Sequence, residues 1–228
     1  MSDAISPTER PRGLPRALEV LLALLALLAA SPVLALAAWA ILRDGDAGEP
    51  VLFRQTRIGR DGKPFTLLKL RTMSRAAGSS VTAGGDPRVT RIGHWLRRLK
   101  LDELPQLWNV VRGDLALIGP RPEVPRFVDR DDPAWREVLS LRPGLADAAT
   151  LRLRDEESVL ARAVGAGLGA PDVVYRRILL PWKLDVSREY LRLRSPRTDW
   201  LLLLAIAVSI VRPPSPPSLE ELQCSARD

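Results

Sequence analysis

The sequence predicts a mixed α/β protein that is mostly α-helical, with a membrane element ahead of one compact domain. Three features of the 228-residue chain carry this prediction. An uncharged run extends from Val20 to Leu42, a hairpin pattern surrounds Asp61-Gly62, and amphipathic segments follow as far as Val211. The length suits a single domain of ordinary size together with a membrane-associated segment.

The charge balance favours anionic partners. The chain has 34 Lys and Arg against 27 Asp and Glu, a formal net charge of +7 and a pI near 10.4. Such an excess suits nucleic acid, phospholipid head groups or phosphorylated substrates. Aromatic residues make up only 5% of the chain, and neither an RNA-binding aromatic signature nor zinc-finger spacing is present. We therefore expect lipids or phosphorylated substrates as partners and no nucleic acid.

Cysteine and histidine are scarce. Cys224 is the single cysteine, which excludes an intrachain disulfide framework and fits a reducing compartment. His94 is the single histidine, which excludes a metal site built from several imidazoles. We interpret His94 as a helix-surface residue.

The first element is a membrane segment over residues 17–43, which follows a basic arm of residues 1–16. As a straight helix, its uncharged part would be about 35 Å long, enough to cross a bilayer. A cleaved signal peptide is one interpretation, because residues 35–37 include two small alanines. Apolar residues continue to Leu42, beyond any such cleavage point, so a spanning helix and a re-entrant hairpin are the stronger alternatives.

Ser31-Pro32 lies at the middle of this segment. Pro32 cannot donate a hydrogen bond to the Leu28 carbonyl and its ring crowds that turn, so the sequence predicts a bend. Ser31 can bond back to a carbonyl one turn earlier and satisfy part of what Pro32 frees. Basic residues flank both ends of the segment, which favours a cytoplasmic position for both. The residues alone leave spanning and re-entrant topologies equally open.

Asp44-Gly45-Asp46 follows the membrane segment directly. It resembles the Asp-x-Asp metal motif of nucleotide-sugar glycosyltransferases, but no alternation of strands and helices precedes it. A polar turn next to the membrane is the favoured interpretation.

Two strands are predicted next, Val51–Gln55 and Pro64–Thr72, joined by a turn at Asp61-Gly62. Most basic residues of this hairpin suit a solvated or lipid-facing edge. Lys69 and Arg71 are the exceptions, because alternate residues of a strand share a face. We expect both side chains to point at one common surface.

Two adjacent carboxylates, Asp102 and Glu103, follow a basic patch that contains Arg97. Apolar residues at helical spacing come next, and Asp102 stands where a helix N-cap would stand. Capping is one interpretation of this aspartate. The other is that a carboxylate at the positive end of a helix, beside cations, stays ionised and attacks a phosphate as a nucleophile. The two interpretations are compatible.

Arg121 is a further basic candidate, in the segment Gly119-Pro120-Arg121-Pro122. The two prolines fix the backbone on either side of Arg121 and limit where its guanidinium can point. A pre-set arginine suits bidentate contact with phosphate. A rigid surface turn explains the same residues equally well.

The remaining segments are assigned by composition. Residues 74–88 are rich in Gly, Ser and Ala and predict a mobile loop. The basic segment 173–194, with interleaved aromatic and leucine residues, predicts a helix at a membrane surface. The uncharged segment 200–211 is too short to span a bilayer, so it is interfacial or buried. Residues 212–228 predict a disordered tail.

Taken in order, these landmarks resemble the bacterial sugar transferases of the monotopic phosphoglycosyl transferase superfamily. The resemblance runs from about Arg16 to Val211, and it is specific because all the motifs occur in sequence. The motifs are Ser31-Pro32, Phe53-Arg54-Gln55, Arg57-Ile58-Gly59, Lys69-Leu70-Arg71-Thr72-Met73, residues 86–93, residues 101–109, Gly119-Pro120-Arg121-Pro122 and Arg142-Pro143-Gly144.

The resemblance implies an architecture and a reaction. A re-entrant helix broken at Ser31-Pro32 would hold a compact cytosolic catalytic domain, residues 44–211, at the membrane. Asp102 would attack the sugar-linked phosphate of a UDP-sugar, release UMP and pass the phosphosugar to undecaprenyl phosphate, while Glu103 would hold Mg²⁺. Neighbouring positions of a helix point about 100° apart, so separate roles for the two carboxylates are physically sensible.

The resemblance also implies further site residues, partners and a location. By position, Arg97 and Arg121 match family arginines expected near the phosphates, and Lys69 and Arg71 match the basic strand motif. The implied partners are a UDP-sugar, undecaprenyl phosphate and membrane lipids, with a homodimer as a further option. The implied location is the cytoplasmic face of the bacterial inner membrane, at the first membrane step of surface polysaccharide or glycoconjugate assembly.

The chain departs from the family pattern in three places, one of which is the absence of the Gln-containing stretch that larger relatives have after the Arg142-Pro143-Gly144 turn. Ala116 stands where the family commonly has Ser, and Leu145-Ala146-Asp147 stands where many members have Ile/Leu-Thr-Gly. These departures leave the nucleophile untouched and the identity of the sugar open.

Two rival functions remain. A glycosyltransferase that moves the sugar without its phosphate, through Asp44 and Asp46, would release UDP. A non-catalytic membrane scaffold would use the basic hairpin to bind lipid head groups. The intact Asp102-Glu103 pair with Arg121 argues against the scaffold.

Overall fold

The structure is a computed structural model that describes residues 12–44, 49–74, 85–153, 156–212 and 214–224. Most of these residues are helical, and the strands form two pairs. The helices are α1 (Arg16–Asp44), α2 (Arg91–Arg98), α3 (Gln106–Arg112), α4 (Pro133–Leu139), α5 (Ala148–Arg152), α6 (Glu156–Gly165), α7 (Pro171–Val174), α8 (Leu180–Leu193), α9 (Pro196–Val211) and α10 (Leu219–Cys224). The strands are β1 (Leu52–Ile58), β2 (Pro64–Leu70), β3 (Ala116–Ile118) and β4 (Gly144–Ala146). The mostly helical α/β class is confirmed.

Helix α1 is the membrane segment of the sequence analysis. It is the one described helix that is long and apolar enough to cross a bilayer. The residues on both sides of Pro32 are helical, so the structure does not show the helix break predicted at Ser31-Pro32. Ser31 Oγ donates a hydrogen bond to the Leu28 carbonyl oxygen at 2.8 Å. That oxygen is the acceptor which Pro32 leaves without an amide partner, so Ser31 has the compensating role that the sequence predicts.

The two ends of α1 contact the same domain. Near its start, the buried carboxylate of Glu19 accepts a hydrogen bond from the Leu117 amide at 3.0 Å. At its end, Asp44 Oδ2 accepts from the Ile92 amide at 2.9 Å, in the first turn of α2. Between them the apolar side chains around the helix midpoint are exposed, Leu28 at 72%. The domain therefore contacts both ends of α1 and leaves the apolar midpoint uncovered.

The predicted hairpin is confirmed. Strands β1 and β2 pair antiparallel, with Leu52 opposite Leu70 and Ile58 opposite Pro64. The turn between them has two consecutive residues of positive φ, Asp61 at 56° and Gly62 at 72°. Aspartate and glycine tolerate this conformation best, which is why the Asp-Gly pair marks the turn.

Strands β3 and β4 form a short parallel pair that the sequence analysis did not predict. The two chains approach very closely at Gly144, where an added Cβ would lie 2.2 Å from the Gly119 amide nitrogen. This contact brings the Arg121 segment alongside the β4 segment.

The basic segment 173–194 differs from its predicted membrane-surface position. It forms α7, a π-helical turn over Tyr175–Leu179, and α8. The aromatic and leucine side chains of this segment lie largely in the main hydrophobic core, with Trp182 only 3% exposed. Its apolar residues follow helical spacing because this face of the helix packs on the domain. A helix that faces lipid has the same spacing of apolar residues, so the sequence pattern did not distinguish the two positions.

The segments at the two ends of the domain differ from each other. In α9, Leu201, Leu204 and Val208 are more than half exposed, as expected for an interfacial helix. The tail was expected to be disordered over 212–228, but residues 219–224 form α10 and Leu222 is fully buried in the main core. Most of the basic arm, most of the 74–88 loop, and Asp46 lie outside the described residues.

Candidate active site

The two adjacent carboxylates lie on a 3₁₀ turn, Leu101–Glu103, between α2 and α3. Lys100 introduces this turn with a left-handed backbone, φ 58° and ψ 21°. That conformation ends α2 and redirects the chain, so the turn faces the cleft between the hairpin and the Arg121 segment.

Asp102 does not cap a helix. Helix α3 begins four residues later, at Gln106, and its N-cap position is Pro105 with no side-chain hydrogen bond. Asp102 is 6% exposed, and its Oδ1 atom has no hydrogen-bond partner among the described residues. The capping interpretation is therefore wrong. A buried acceptor without a donor is unusual enough to indicate a functional role.

The environment raises the pKa of Asp102 above its ordinary value. Burial is the largest cause, because it penalises the charged form, and neighbouring Glu103 adds repulsion. Lys69, Lys100 and Arg97 oppose this rise in the pKa with their positive charge. Asp102 is thus a carboxylate that is poorly solvated and weakly paired, two properties that favour nucleophilic attack.

Glu103 has the opposite environment. Lys69 Nζ donates to Glu103 Oε1 at 3.0 Å, while Arg121 Nη1 donates to Oε2 at 3.3 Å and Arg121 Nη2 pairs with Oε1. Burial would raise the pKa of Glu103, but Arg121 and Lys69 outweigh it and hold that pKa well below its usual range. Glu103 is therefore ionised and joins strand β2 to the Arg121 segment.

Lys69 and Arg71 both line the cleft but have different partners. Lys69 contacts Glu103, whereas Arg71 Nη1 lies 3.3 Å from Glu49 Oε2. The Nη2 atom of Arg71 is buried and has no partner among the described residues. Burial lowers the pKa of Lys69 below its ordinary value, although Glu103 opposes that change. The shared face predicted for these two residues is seen, and only Lys69 reaches the carboxylate pair.

Arg97 lies at the edge of the site. Its Nη1 atom donates to Glu157 Oε1 at 2.9 Å, and its Nε atom donates to Thr72 Oγ1 at 3.1 Å. It makes no hydrogen bond to Asp102 or Glu103, and it acts on Asp102 only through its charge.

The Arg121 segment is fixed from both sides. The Arg121 amide donates to Asp147 Oδ2 at 2.9 Å, and the Pro122 carbonyl oxygen accepts from Arg57 Nη1 at 3.0 Å. The other oxygen of Asp147 accepts from the Thr150 amide in the first turn of α5. A guanidinium between two prolines, on a backbone tied to β1 and α5, has its direction set by the fold.

Sequence reasoning missed several residues in and around this cleft. Glu123 and Lys183 line the cleft but lie among charged or basic segments where a solvated role is the simpler interpretation, and Asp147 was missed as the residue that holds the Arg121 amide. The only available sequence signal was that Glu123 directly follows the Pro-Arg-Pro segment. The cleft itself is open and has a volume of about 2000 Å³.

Mg²⁺ is the metal that the family resemblance implies, and Glu103 is its expected ligand. No group of three or more His, Cys, Asp or Glu side chains gathers within the described ranges. Magnesium usually takes only one or two carboxylates and completes its shell with phosphate oxygens and water. Glu103 fits that donor set as its one carboxylate, with Lys69 and Arg121 as its present partners, and Asp102 Oδ1 is not required as a ligand.

The family model for "Bacterial sugar transferase" matches residues 11–212, which is most of the chain. The chain belongs to the bacterial sugar transferase family. It is therefore an enzyme, and the matched region contains the membrane helix, the carboxylate pair and the Arg121 segment.

Curated relatives carry concordant names. A Bacillus subtilis protein named a putative undecaprenyl-phosphate N-acetylgalactosaminyl 1-phosphate transferase is 42% identical over 54% of this chain and 69% of its own length. A Caulobacter vibrioides UDP-glucose:undecaprenyl-phosphate glucose-1-phosphate transferase is 46% identical over 60% of this chain and 53% of the relative. An Escherichia coli protein of the same name is 46% identical over 49% of this chain and 24% of the relative. The matched region thus covers between 24% and 69% of the length of these relatives.

Proposed function

We propose that this sugar transferase moves a sugar-1-phosphate from a UDP-sugar to undecaprenyl phosphate and releases UMP, as the first membrane step of surface polysaccharide or glycoconjugate assembly. The single observation that carries the mechanism is the buried Oδ1 atom of Asp102, which has no hydrogen-bond donor and lies beside a fully paired Glu103. The relatives' names support the donor and acceptor classes.

In the first half-reaction, Asp102 acts as the nucleophile. A carboxylate oxygen forms a bond to the sugar-linked phosphorus, and the bond from that phosphorus to the oxygen that bridges the two phosphates breaks. The electron pair leaves with UMP, and the phosphosugar stays on Asp102 as an acyl phosphate.

In the second half-reaction, undecaprenyl phosphate takes the phosphosugar. An oxygen of its phosphate forms a bond to the same phosphorus, and the bond to Asp102 breaks and regenerates the carboxylate. The products are UMP and undecaprenyl diphosphosugar, so every phosphate oxygen is accounted for.

The cleft cations have separate roles in this proposal. Lys69 and Arg121, which hold Glu103, lie where they can stabilise charge on the transferred phosphate. Arg71 offers a guanidinium atom without a partner, and Arg97 would exchange Glu157 for a second phosphate. A Mg²⁺ ion held by Glu103 would supply further neutralisation of phosphate charge.

The contacts of α1 support a re-entrant topology. Glu19 and Asp44, near the two ends of the helix, contact one domain, while the apolar midpoint around Leu28 is exposed. A domain on one side of the bilayer can hold both ends only if both return to that side. We therefore place the domain on the cytoplasmic face of the inner membrane, in keeping with the basic flanks of the helix.

Exposed tryptophans support contact with a bilayer surface. The exposed tryptophans of the described chain that belong to helices are Trp39, Trp95, Trp108 and Trp200. Arg43 and Arg98 lie over the rings of Trp39 and Trp95, at 5.0 and 5.7 Å. Tryptophan and arginine are suited to the head-group region, where an apolar ring and a charge can both be satisfied.

The direct test is nucleotide release by the detergent-solubilised full chain, with a panel of UDP-sugars and undecaprenyl phosphate. We expect UMP as product and a phosphosugar adduct on Asp102 by mass spectrometry when the acceptor is left out. Asp102→Asn should abolish both, and Asp61→Asn in the hairpin turn, where asparagine keeps the backbone conformation, is the matched control. Release of UDP would favour the rival glycosyltransferase, and an adduct on another side chain would reject the mechanism.

A further inference from the structure

A second charged cluster lies behind the Arg121 segment, and the proposed reaction does not use it. We call Arg57, Glu123, Tyr175 and Lys183 the Glu123 cluster. Tyr175 Oη donates to Glu123 Oε1, and Lys183 Nζ donates to Tyr175 Oη at 3.0 Å and to Glu123 Oε1 at 3.4 Å. Arg57 Nη1 lies 3.5 Å from Glu123 Oε2. The cluster joins β1, the Arg121 segment, the π-helical turn and α8.

The cluster acts on the backbone next to Arg121. Glu123 is two residues beyond Arg121, and its carbonyl oxygen accepts from the Ile58 amide at 2.9 Å. Arg57 reaches both the Pro122 carbonyl and the Glu123 carboxylate. The side chain and the backbone of Glu123 are therefore both fixed, and the only residue between Glu123 and Arg121 is a proline with a locked φ angle.

Stability alone does not explain this cluster. Glu123, Tyr175 and Lys183 are each less than a tenth exposed. Burial opposes charge on both ionic partners. Glu156, whose Oε2 atom lies 2.9 Å from Lys183 Nζ, acts with Tyr175 and Glu123 to raise the pKa of Lys183 well above its usual value. Lys183 and Arg57 lower the pKa of Glu123 in spite of its burial. Well-packed apolar residues of similar volume stabilise a protein as well as a buried ion pair does, or better.

The geometry at the π-helical turn supports a role in the site. Helices α7 and α8 run into each other through Tyr175–Leu179, and Tyr175 stands at the first position of this turn. Such turns occur frequently at functional sites. Tyr175 and Lys183 both line the active-site cleft, although they belong to the C-terminal part of the domain.

We propose that Lys183 and Tyr175 are positioning residues of the transfer site. Through Glu123 they fix the segment that directs Arg121 at Glu103 and at the substrate phosphates. The inference rests on the proposed function, because it assigns these residues a part in that reaction. Neither residue needs to touch the phosphosugar for this role.

The experiment compares Lys183→Met with Arg188→Met in the full-length protein. Arg188 is on the same helix and pairs with Glu137 at 2.7 Å, outside the cluster. We expect Lys183→Met to lower kcat for UMP release by about 10- to 100-fold, with a much smaller change in KM, because small displacements of a catalytic group have effects of this size. Lys183→Arg should restore most of the loss, and Arg188→Met should stay near wild type.

A double-mutant cycle tests whether Lys183 acts through Arg121. In an Arg121→Lys background, Lys183→Met should cause little further loss of kcat, since the group it positions is already gone. Fully additive losses in kcat would overturn the inference. If Lys183→Met also lowers the melting midpoint strongly, Tyr175→Phe decides, because it removes one hydroxyl and leaves the ring packed.

Hydrogen exchange supplies a readout that does not depend on activity. We expect Lys183→Met, but not Arg188→Met, to speed amide exchange over residues 119–124 relative to the rest of the domain. Equal exchange there in both variants would overturn the positioning role. If the wild type releases no UMP, the proposed function fails, and the exchange comparison still decides whether Lys183 orders this segment.

Discussion

Two of the regions that bury charged side chains differ in how completely those side chains are paired. The described side chains with buried polar atoms that have no hydrogen-bond partner are Arg71, Asp102 and Gln106. The first two line the active-site cleft, and Gln106 begins the helix that follows Asp102. The second region lies at the base of α1 and contains the buried carboxylates Glu19 and Asp199, both of which have partners.

The base of α1 is a matched region. Asp199 accepts from the Leu14 amide at 2.9 Å and from Tyr190 Oη at 2.7 Å, with Arg194 nearby. There is no room for a larger residue beside it, since a Cβ added at Gly13 would lie 2.2 Å from Asp199 Oδ2.

Glu19 is matched in the same way. It accepts from the Leu117 amide and from Arg16 Nη1, and Arg142 Nη1 lies 3.7 Å away. Arg16 also donates to the carbonyls at the end of α3, including that of Val110. The buried carboxylates that hold the base of α1 thus have hydrogen-bond partners, whereas the cleft that is proposed to receive the substrate contains buried polar atoms without partners.

The largest expected effect comes from Asp102→Asn, which separates activity from stability in the unmatched region. We expect UMP release to fall by about 1000-fold or more, as for the loss of other covalent nucleophiles. The melting midpoint should stay the same or rise, because the amide carries no charge into a buried site that lacks a donor. A variant that loses stability in proportion to activity would contradict the contrast between the two regions.

Asp199→Ala should have the opposite effect in the matched region. It leaves Tyr190 Oη and the Leu14 amide without their acceptor and removes the carboxylate beside Arg194, which costs about 3 kcal/mol of unfolding free energy. The rate of UMP release per folded molecule should stay within about twofold of wild type. Chemical denaturation in detergent gives the first quantity, and initial rates at low temperature give the second.

The two cleft carboxylates should respond oppositely to pH. The raised pKa of Asp102 means that it holds its proton more tightly when folded. Its contribution to stability is present below the unfolded pKa and is lost as pH rises through the raised value. The depressed pKa of Glu103 gives a contribution that is present above its unfolded pKa and is lost as pH falls through the depressed value.

Denaturation measured as a function of pH tests this assignment. The stability of wild type relative to Asp102→Asn should fall as pH rises above about 4, the ordinary aspartate pKa. UMP release should fall as pH drops through the raised pKa, because the protonated carboxyl cannot attack. A stability difference between the two proteins that does not change with pH would contradict the environment assigned to Asp102.

The smallest expected effect is at the exposed midpoint of α1. Ser31→Ala removes the hydrogen bond to the Leu28 carbonyl, which Pro32 cannot replace. We expect a loss of about 1 kcal/mol in stability in bilayers or bicelles, with little change in the rate of UMP release. Ser31→Thr keeps the hydroxyl and is the matched control. A large loss of activity in Ser31→Ala would show that the midpoint affects the cleft directly.

Local patterns predicted those parts of the fold that local chemistry determines. The Asp61-Gly62 turn, the antiparallel strands and the apolar helix with its Ser31 compensation are all seen. The pairing of β3 with β4 was missed, because each strand has only three residues and their contact depends on two distant glycines. The core position of Trp182 was missed because core packing and lipid contact produce the same periodicity.

For the site, the residue types were predictable and their pairings were not. Asp102, Glu103, Lys69 and Arg121 meet in the cleft, as motif order suggested. The capping interpretation of Asp102 failed because Lys100 and Pro105 shift the start of the helix beyond it. Contacts between distant elements determine the partners of Arg71 and Arg97 and the composition of the Glu123 cluster. The sequence of a single segment does not predict such contacts.

The attachment of α1 at both ends has a consequence for how the enzyme meets different lipids. In the proposed re-entrant topology, protein contacts at both ends, and not the surrounding acyl chains, determine how far the exposed midpoint of α1 lies from Asp102. A thicker or thinner bilayer would then change which lipid atoms surround that midpoint but not its separation from Asp102. If the acceptor is the proposed polyprenyl phosphate, the polypeptide itself sets the depth at which that lipid must present its phosphate.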